Sequence, residues 1–172
     1  MANKQHDFVK LARQTVEKYA VDGKIMEAPY PLPEKYDKQS GVFVSIKKKG
    51  KLRGCIGTIE ATRDNMAEEI IHNAISAAFR DPRFPSVSKN ELDKLEYSVD
   101  VLGQAEKVDN LDQLDTEKYG VIVEKGRKRG LLLPRLEGIE TVEEQLNIAR
   151  RKAGISAGAD IEIYRFEVKR YK

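Results

Sequence analysis

The chain has 172 residues, enough for one ordinary domain or for two small lobes that share a core. Its 40% hydrophobic and 34% charged residues are typical of a globular protein with a heavily charged surface, and the net charge of +3 is too small to indicate nucleic-acid binding. The single cysteine excludes an internal disulfide framework, no apolar run approaches the ~20 residues of a bilayer-spanning helix, and the first residues lack the apolar core of a signal peptide. We therefore expect a cytoplasmic protein without a membrane segment.

The first third of the chain predicts a helix, a long connection and a hairpin. Apolar residues recur at helical spacing between Phe8 and Tyr19, with Asp7 as the N-cap. Residues 25–41 show no periodicity and carry three prolines, which predicts either a binding loop or a proline-stiffened segment on the surface. Residues 42–59 then predict a β-hairpin with a basic tip.

The middle of the chain predicts a second helix followed by a turn and a short third one. A stripe of apolar and small residues indicates a helix over residues 64–80, which Pro82 prevents from continuing. Ser88 and Glu91 form a capping box, which predicts a short helix that ends at Leu95.

The remaining elements predict a mostly antiparallel sheet. They are a strand at 95–102, a polar short helix or loop at 108–118, a hairpin at 119–134, a capped helix at 141–154, a strand at 161–168 and a basic tail. Hairpins outnumber βαβ crossovers, and no internal repeat is detectable. We therefore predict an α+β fold with a largely antiparallel sheet and packed helices.

Residues 52–59 form the candidate site. Residues two apart on a strand share a face, so Arg53, Cys55 and Gly57 lie together. Gly54 and Gly57 are unusual in one strand and mark the close approach of a ligand or of another backbone. The cation beside Cys55 favours the thiolate, which makes Cys55 a candidate nucleophile. The alternative is that Cys55 is a small buried hydrophobe.

The sequence does not favour a cysteine hydrolase or a metal site. A nucleophilic cysteine needs a base, and the two candidates are His6, before the first helix, and His72, in the middle of the second. Neither is a natural partner for Cys55. One cysteine and two histidines without close spacing do not form a zinc site, and no cofactor is indicated.

Arginines surround the candidate strand. Arg53, Arg80 and Arg83 would form an anion pocket if the turn that contains Asp81 folds back onto the strand. The alternative is a structural ion pair between Asp81 and either Arg83 or Arg53. The basic hairpin tips lack interleaved aromatic residues, so nucleic-acid binding is not favoured.

These motifs together resemble the AMMECR domain family, whose microbial members are named AmmeMemoRadiSam system protein A. The resemblance rests on the hallmark block Leu52-Arg53-Gly54-Cys55-Ile56-Gly57, and on blocks at 81–85, 97–102, 120–123, 130–134 and 152–154, in the family's order. They cover nearly the whole chain, so residues 1–172 are identified as one AMMECR domain. Ser86 and residues 136–140 depart from the family pattern.

The resemblance implies an α+β protein of two lobes, with a cleft between them and an undetermined boundary. It also implies association with a Memo-like protein and a radical SAM enzyme. Our first hypothesis is therefore a component of a small-molecule modification system. It would bind an anionic ligand through the ligand-contacting set Arg53, Gly54, Gly57, Arg80, Asp81 and Arg83, with Cys55 as nucleophile or pocket wall. The second hypothesis is a non-catalytic module that docks a partner protein or nucleic acid.

Overall fold

The computed structural model describes residues 5–172, which divide into two compact units. The first unit comprises residues 5–101 and 169–172, and the second comprises residues 102–168. The described chain contains helices and antiparallel strands. The predicted α+β class with antiparallel pairing is confirmed.

The first unit begins with a long helix and continues with a hairpin, a helix and a strand. Its elements are α1 (Asp7–Asp22), β1 (Val42–Lys48), β2 (Lys51–Gly57), α2 (Met66–Phe79) and β3 (Leu95–Leu102). Short 3-10 turns lie at Glu34–Tyr36 and Lys89–Lys94. Strand β1 pairs antiparallel with both β2 and β3, and therefore lies between them.

Helix α2 packs against one face of this three-stranded sheet. Val42, Val44 and Ile46 alternate along β1 and are fully buried on that face. A Cβ atom added at Gly54 of β2 would lie 2.1 Å from the carbonyl oxygen of Ala77 in α2. Glycine at position 54 therefore lets the helix backbone approach the sheet closely.

The helix starts differ slightly from the sequence prediction. His6, not Asp7, is the N-cap of α1, because its Nδ1 atom accepts a hydrogen bond from the Phe8 amide. Helix α2 starts after Asn65, whose side chain accepts a hydrogen bond from the Glu68 amide. The α1 cap therefore lies one residue before the predicted Asp7, and α2 begins two residues after the predicted position 64.

The second unit contains β4 (Glu106–Val108), β5 (Tyr119–Lys125), β6 (Lys128–Leu132), α3 (Val142–Ala153) and most of β7 (Glu162–Tyr171). Its strands pair antiparallel in the order β4-β7-β5-β6. Thr141 and Glu144 cap α3 as predicted, and Gly154 ends it in the left-handed conformation. A Cβ atom added at Gly130 of β6 would lie 2.2 Å from the carbonyl oxygen of Ala149 in α3.

The two units therefore repeat one architecture, although no repeat is detectable in the sequence. Each contains a hairpin followed by a helix and a strand, and the first hairpin strand lies in the middle of the three strands. In each, the second hairpin strand carries the glycine on which the helix packs, Gly54 or Gly130.

Two strand predictions need correction. Strand β7 continues to Tyr171, so residues 169–171 belong to a strand rather than to a basic tail. Strand β4 is three residues long and lies where no strand was predicted, because so short a segment shows no alternation. Among the described residues, no helix has the length and apolar character needed to span a membrane.

Candidate functional site

The face of the first unit's sheet that points away from α2 carries the only cysteine. We call this surface the thiol face and define it by the half-exposed residues Phe43, Ser45, Cys55, Gly57 and Ser98. Ser45 lies directly opposite Cys55 on one side and Ser98 on the other. The Cys55 Sγ atom lies 3.1 Å from Ser45 Oγ, so a thiol and a hydroxyl share a hydrogen bond at the centre of this face.

Asp81 and Arg83 hold the free edge of β2 beside Cys55. The Cys55 amide donates a hydrogen bond to Asp81 (3.0 Å), and the Cys55 carbonyl accepts one from Arg83 Nη2 (3.1 Å). Arg83 in turn donates to both Asp81 oxygens, from Nε (3.0 Å) and Nη2 (2.8 Å). The turn after α2 therefore folds back onto the strand, which the anion-pocket hypothesis required, and Asp81 pairs with Arg83, as the structural alternative stated. These side chains satisfy backbone groups that an edge strand leaves unpaired.

Arg53 has a structural role, because its donors bind groups of the segment after α2. Its Nε donates to Glu91 (2.8 Å), and its terminal nitrogens donate to the carbonyls of Pro85 (2.9 Å) and Ser86 (3.3 Å). Only 12% of its side chain is exposed, compared with 54% for Arg83. Of these two arginines, Arg83 is therefore the one that can reach a ligand.

Three other predicted ligand residues have different surroundings. Gly54 faces α2 and is buried against Ala77, so no ligand can approach it from that side. At Gly57, an added Cβ atom would lie 2.2 Å from the ring of Phe43, so the ring covers this glycine. Arg80 is the exposed C-cap residue of α2 and takes no part in the hydrogen bonds that the structure describes around Cys55.

Burial and charge act in opposite directions on the ionisable groups of this site. Burial raises the pKa of the Cys55 thiol and outweighs the hydrogen bond from Ser45 and the positive charge of Arg83. This net direction is opposite to the one expected from a neighbouring cation. Hydrogen bonds from Arg83 hold the pKa of Asp81 well below its usual range, and the same pair raises the pKa of Arg83.

Asp100 and Arg170 form a second ion pair near Cys55, which sequence reasoning missed. The two guanidinium nitrogens Nε and Nη2 of Arg170 donate to the two carboxylate oxygens of Asp100 at 2.7 and 2.8 Å. Asp100 follows Ser98 by two residues, so it lies on the same face of β3. The alternation of β3 could have placed Asp100 on this face, but Arg170 comes from a segment interpreted as a tail.

The second unit gives an internal comparison for this face. Gly54 pairs with Ile46 in the first unit, and Gly130 pairs with Val123 in the second. Counted from these glycines, the positions of Cys55 and Ser45 correspond to Leu131 and Ile122, which are both buried. The glycine that contacts the helix is thus common to both units, whereas the thiol and the hydroxyl occur in the first unit only.

Neither of two cavities in the second unit, nor any group of metal ligands among the described residues, involves the predicted site residues. Within residues 5–172, no three or more His, Cys, Asp or Glu side chains are grouped so that they could hold a metal ion. Cavities of about 520 and 680 Å³ lie in the second unit, around α3, and share Asn147, Arg150 and Ala157 in their linings. The predicted site residues line neither of them.

Comparisons with known proteins agree with the motif blocks. The AMMECR1 family model matches residues 9–171. A Thermotoga maritima protein is 52% identical over 171 residues, which cover 98% of each chain. A Clostridium acetobutylicum protein is 53% identical over 167 residues, which cover 96% of this chain but 36% of that protein. The crystal structure of an uncharacterised Pyrococcus horikoshii protein matches with a TM-score of 0.88 at 34% identity, covering 95% of this chain and 88% of that one. The chain belongs to the AMMECR1 family.

Proposed function

We propose that the protein binds a small anionic molecule on the thiol face, as a cytoplasmic component of a small-molecule modification system. The observation that carries this proposal is the exposed guanidinium of Arg83, which lies beside a half-exposed thiol and hydroxyl. Its Nε and Nη2 atoms bind Asp81 and the Cys55 carbonyl, which leaves Nη1 for a ligand. Arg83 thus takes the role that the sequence prediction gave to Arg53.

Cys55 acts in this proposal as a hydrogen-bonding wall of the site. Because burial raises its pKa, the thiol is protonated at neutral pH and is a poor nucleophile in the unliganded protein. The Sγ and Ser45 Oγ atoms can instead contact the bound molecule directly. Binding on this face requires no covalent step.

A Memo-like protein and a radical SAM enzyme are the partners that we propose for this domain. Support for action with another protein comes from the Clostridium acetobutylicum relative, in which the matching segment is 36% of a longer chain. A domain that occurs within a longer polypeptide can act on a molecule that the rest of that polypeptide supplies. Direct mixing of this protein with each proposed partner, followed by analytical ultracentrifugation, tests the association. Unchanged sedimentation with both partners would refute it.

The ligand-binding proposal is tested with simple anions. We expect inorganic phosphate and acetate to slow the alkylation of Cys55 by iodoacetamide, because an anion on Arg83 covers the thiol, whereas neutral acetamide has no effect. Arg83→Gln removes this protection, and Arg127→Gln, in the exposed β5–β6 turn, is the matched control that retains it. Equal alkylation rates with and without each anion at saturating concentration would refute the proposal.

A further inference from the structure

Cys55 lies beside two aspartate–arginine pairs of the same construction. In the first, Arg83 Nε and Nη2 donate to the two Asp81 oxygens at 3.0 and 2.8 Å. In the second, Arg170 Nε and Nη2 donate to the two Asp100 oxygens at 2.7 and 2.8 Å. Both carboxylates are buried, with 2% and 1% of their side chains exposed. Each carboxylate therefore fixes the orientation of a guanidinium group.

Each arginine keeps an unused group of donors. A bidentate contact through Nε and Nη2 leaves both hydrogens of Nη1 available. Within the described part of the chain, Nη1 of neither Arg83 nor Arg170 makes a hydrogen bond. The two side chains are 54% and 30% exposed, so each has surface that a small molecule can contact.

The first pair lies at the free edge of β2 beside Cys55, and the second includes Asp100 on the thiol face. Cys55, Ser45 and Ser98 form a row across β2, β1 and β3, and Asp100 is two residues further along β3. Strand spacing and rise place the backbone positions of Cys55 and Asp100 about 12 Å apart. Arg83 Nη2 donates to the Cys55 carbonyl, and Arg170 donates to Asp100, so a guanidinium group is anchored at each end of this span.

We propose that the thiol face binds a small molecule with two acidic groups, one on Nη1 of Arg83 and the other on Nη1 of Arg170. This inference rests on the proposed function of the same face. The chain that joins the two acidic groups would cross Cys55, Ser45 and Ser98, which are half-buried residues. Each arginine is already neutralised by its aspartate, so a single anionic group gains little long-range attraction. Two linked groups gain more, because binding of the first raises the effective concentration of the second.

The test uses α,ω-dicarboxylates from malonate to suberate, each compared with its own monoamide, by isothermal titration calorimetry. We expect one chain length to bind at least 10-fold more tightly than its monoamide. Arg83→Lys and Arg170→Lys should each abolish that difference in affinity. Lysine keeps the ion pair with aspartate but has no second nitrogen, equivalent to Nη1, that could donate to the ligand. Arg127→Lys is the matched control and should leave the difference unchanged.

A second variant tests the same site without leaving a buried carboxylate unpaired, which could unfold the protein. In Asp100→Asn combined with Arg170→Gln, the pair stays hydrogen-bonded and neutral but has no cation. It should bind dicarboxylates no better than monoamides, with a native circular dichroism spectrum.

Two outcomes separate this inference from the proposed function. If every monoamide binds as tightly as its dicarboxylate, or if the Arg170 variants retain the preference for dicarboxylates, the two-point site is refuted while anion binding at Arg83 stands. If none of the dicarboxylates, monoamides, acetate or phosphate binds, both proposals fail.

Discussion

Replacement of Arg53 by alanine distinguishes a structural arginine from a ligand-binding one. Arg53 joins β2 to the segment after α2 through Glu91 and the carbonyls of Pro85 and Ser86, and only 12% of its side chain is exposed. Arg53→Ala therefore removes several charge-assisted hydrogen bonds and leaves the Glu91 carboxylate with Lys48, whose Nζ atom is 3.5 Å from Oε1, as its cation. The variant should be less stable but should still bind anions.

The size of the effect follows from the Glu91 carboxyl. Burial acts to raise its pKa, but hydrogen bonds from Arg53 and Ser88 outweigh burial and lower the pKa from 4.5 to about 2. At about 1.4 kcal/mol for each pKa unit, the ionised carboxylate stabilises the folded state by about 3 kcal/mol at neutral pH. Ser88 supplies part of this stabilisation, which would make the loss on removal of Arg53 smaller. Arg53 also binds two carbonyls, which would make the loss larger. We expect Arg53→Ala to lower the free energy of unfolding by about 3 kcal/mol.

Urea unfolding between pH 7 and pH 3 measures this effect. Because the pKa of Glu91 is lowered in the folded state, its contribution is complete above about pH 5 and is lost as the pH falls towards 2. The stability difference between the wild type and Arg53→Ala should therefore shrink on acidification. Arg127→Ala, in the exposed β5–β6 turn, is the control. A variant within about 0.5 kcal/mol of the wild type at pH 7, with phosphate protection of Cys55 lost, would show that Arg53 binds ligand and refute our assignment.

Three further predictions concern single residues. Iodoacetamide should alkylate Cys55 more slowly in the folded than in the urea-unfolded protein at pH 8, because burial raises the thiol pKa; equal rates would contradict this. Gly54→Ala should lower the free energy of unfolding, measured in urea, by about 3 kcal/mol, because the new Cβ atom would lie 2.1 Å from the Ala77 carbonyl oxygen. Gly158→Ala is the control: no atom lies within 4 Å of its new Cβ, so it should lower the free energy of unfolding by less than about 1 kcal/mol. Burial lowers the pKa of His6 from 6.5, so the free energy of unfolding should fall as the pH drops below about 6.5. His6→Asn should weaken this pH dependence of stability, and an unchanged pH dependence would refute the role of His6.

Local patterns were sufficient to predict most of the fold. The alternation of Val42, Val44 and Ile46 predicted the buried face of β1, and the capping box at Thr141 located the start of α3. These signals work because both depend on residues within a few positions of each other. The extension of β7 over residues 169–171 was not predictable in this way, since Lys169 and Arg170 resemble a solvated tail until the partner of Arg170 is known.

The candidate site was predictable in position but not in detail. The glycines and Cys55 marked β2, and the anion-pocket hypothesis required the turn at Asp81 to return to this strand, which it does. Which arginine remains available depends on Glu91, 38 residues from Arg53, and on backbone carbonyls that no motif specifies. The same applies to Asp100, whose cation lies 70 residues away. Partner choice between such distant residues is decided by tertiary packing.

Comparison of the two units distinguishes the residue of the hallmark block that the fold requires from the residues that we assign to ligand binding. Both units place a glycine, Gly54 or Gly130, against the backbone of a helix, so this glycine is required by the architecture whether or not a ligand binds. The neighbour of Gly130 is the buried Leu131, whereas the neighbour of Gly54 is the half-exposed Cys55. In the second unit the corresponding positions are occupied by the apolar, buried Leu131 and Ile122, so the architecture that the two units share does not itself specify a thiol and a hydroxyl there. The thiol and hydroxyl of the first unit are therefore not required by the fold, and they are the part of the block that we assign to ligand binding.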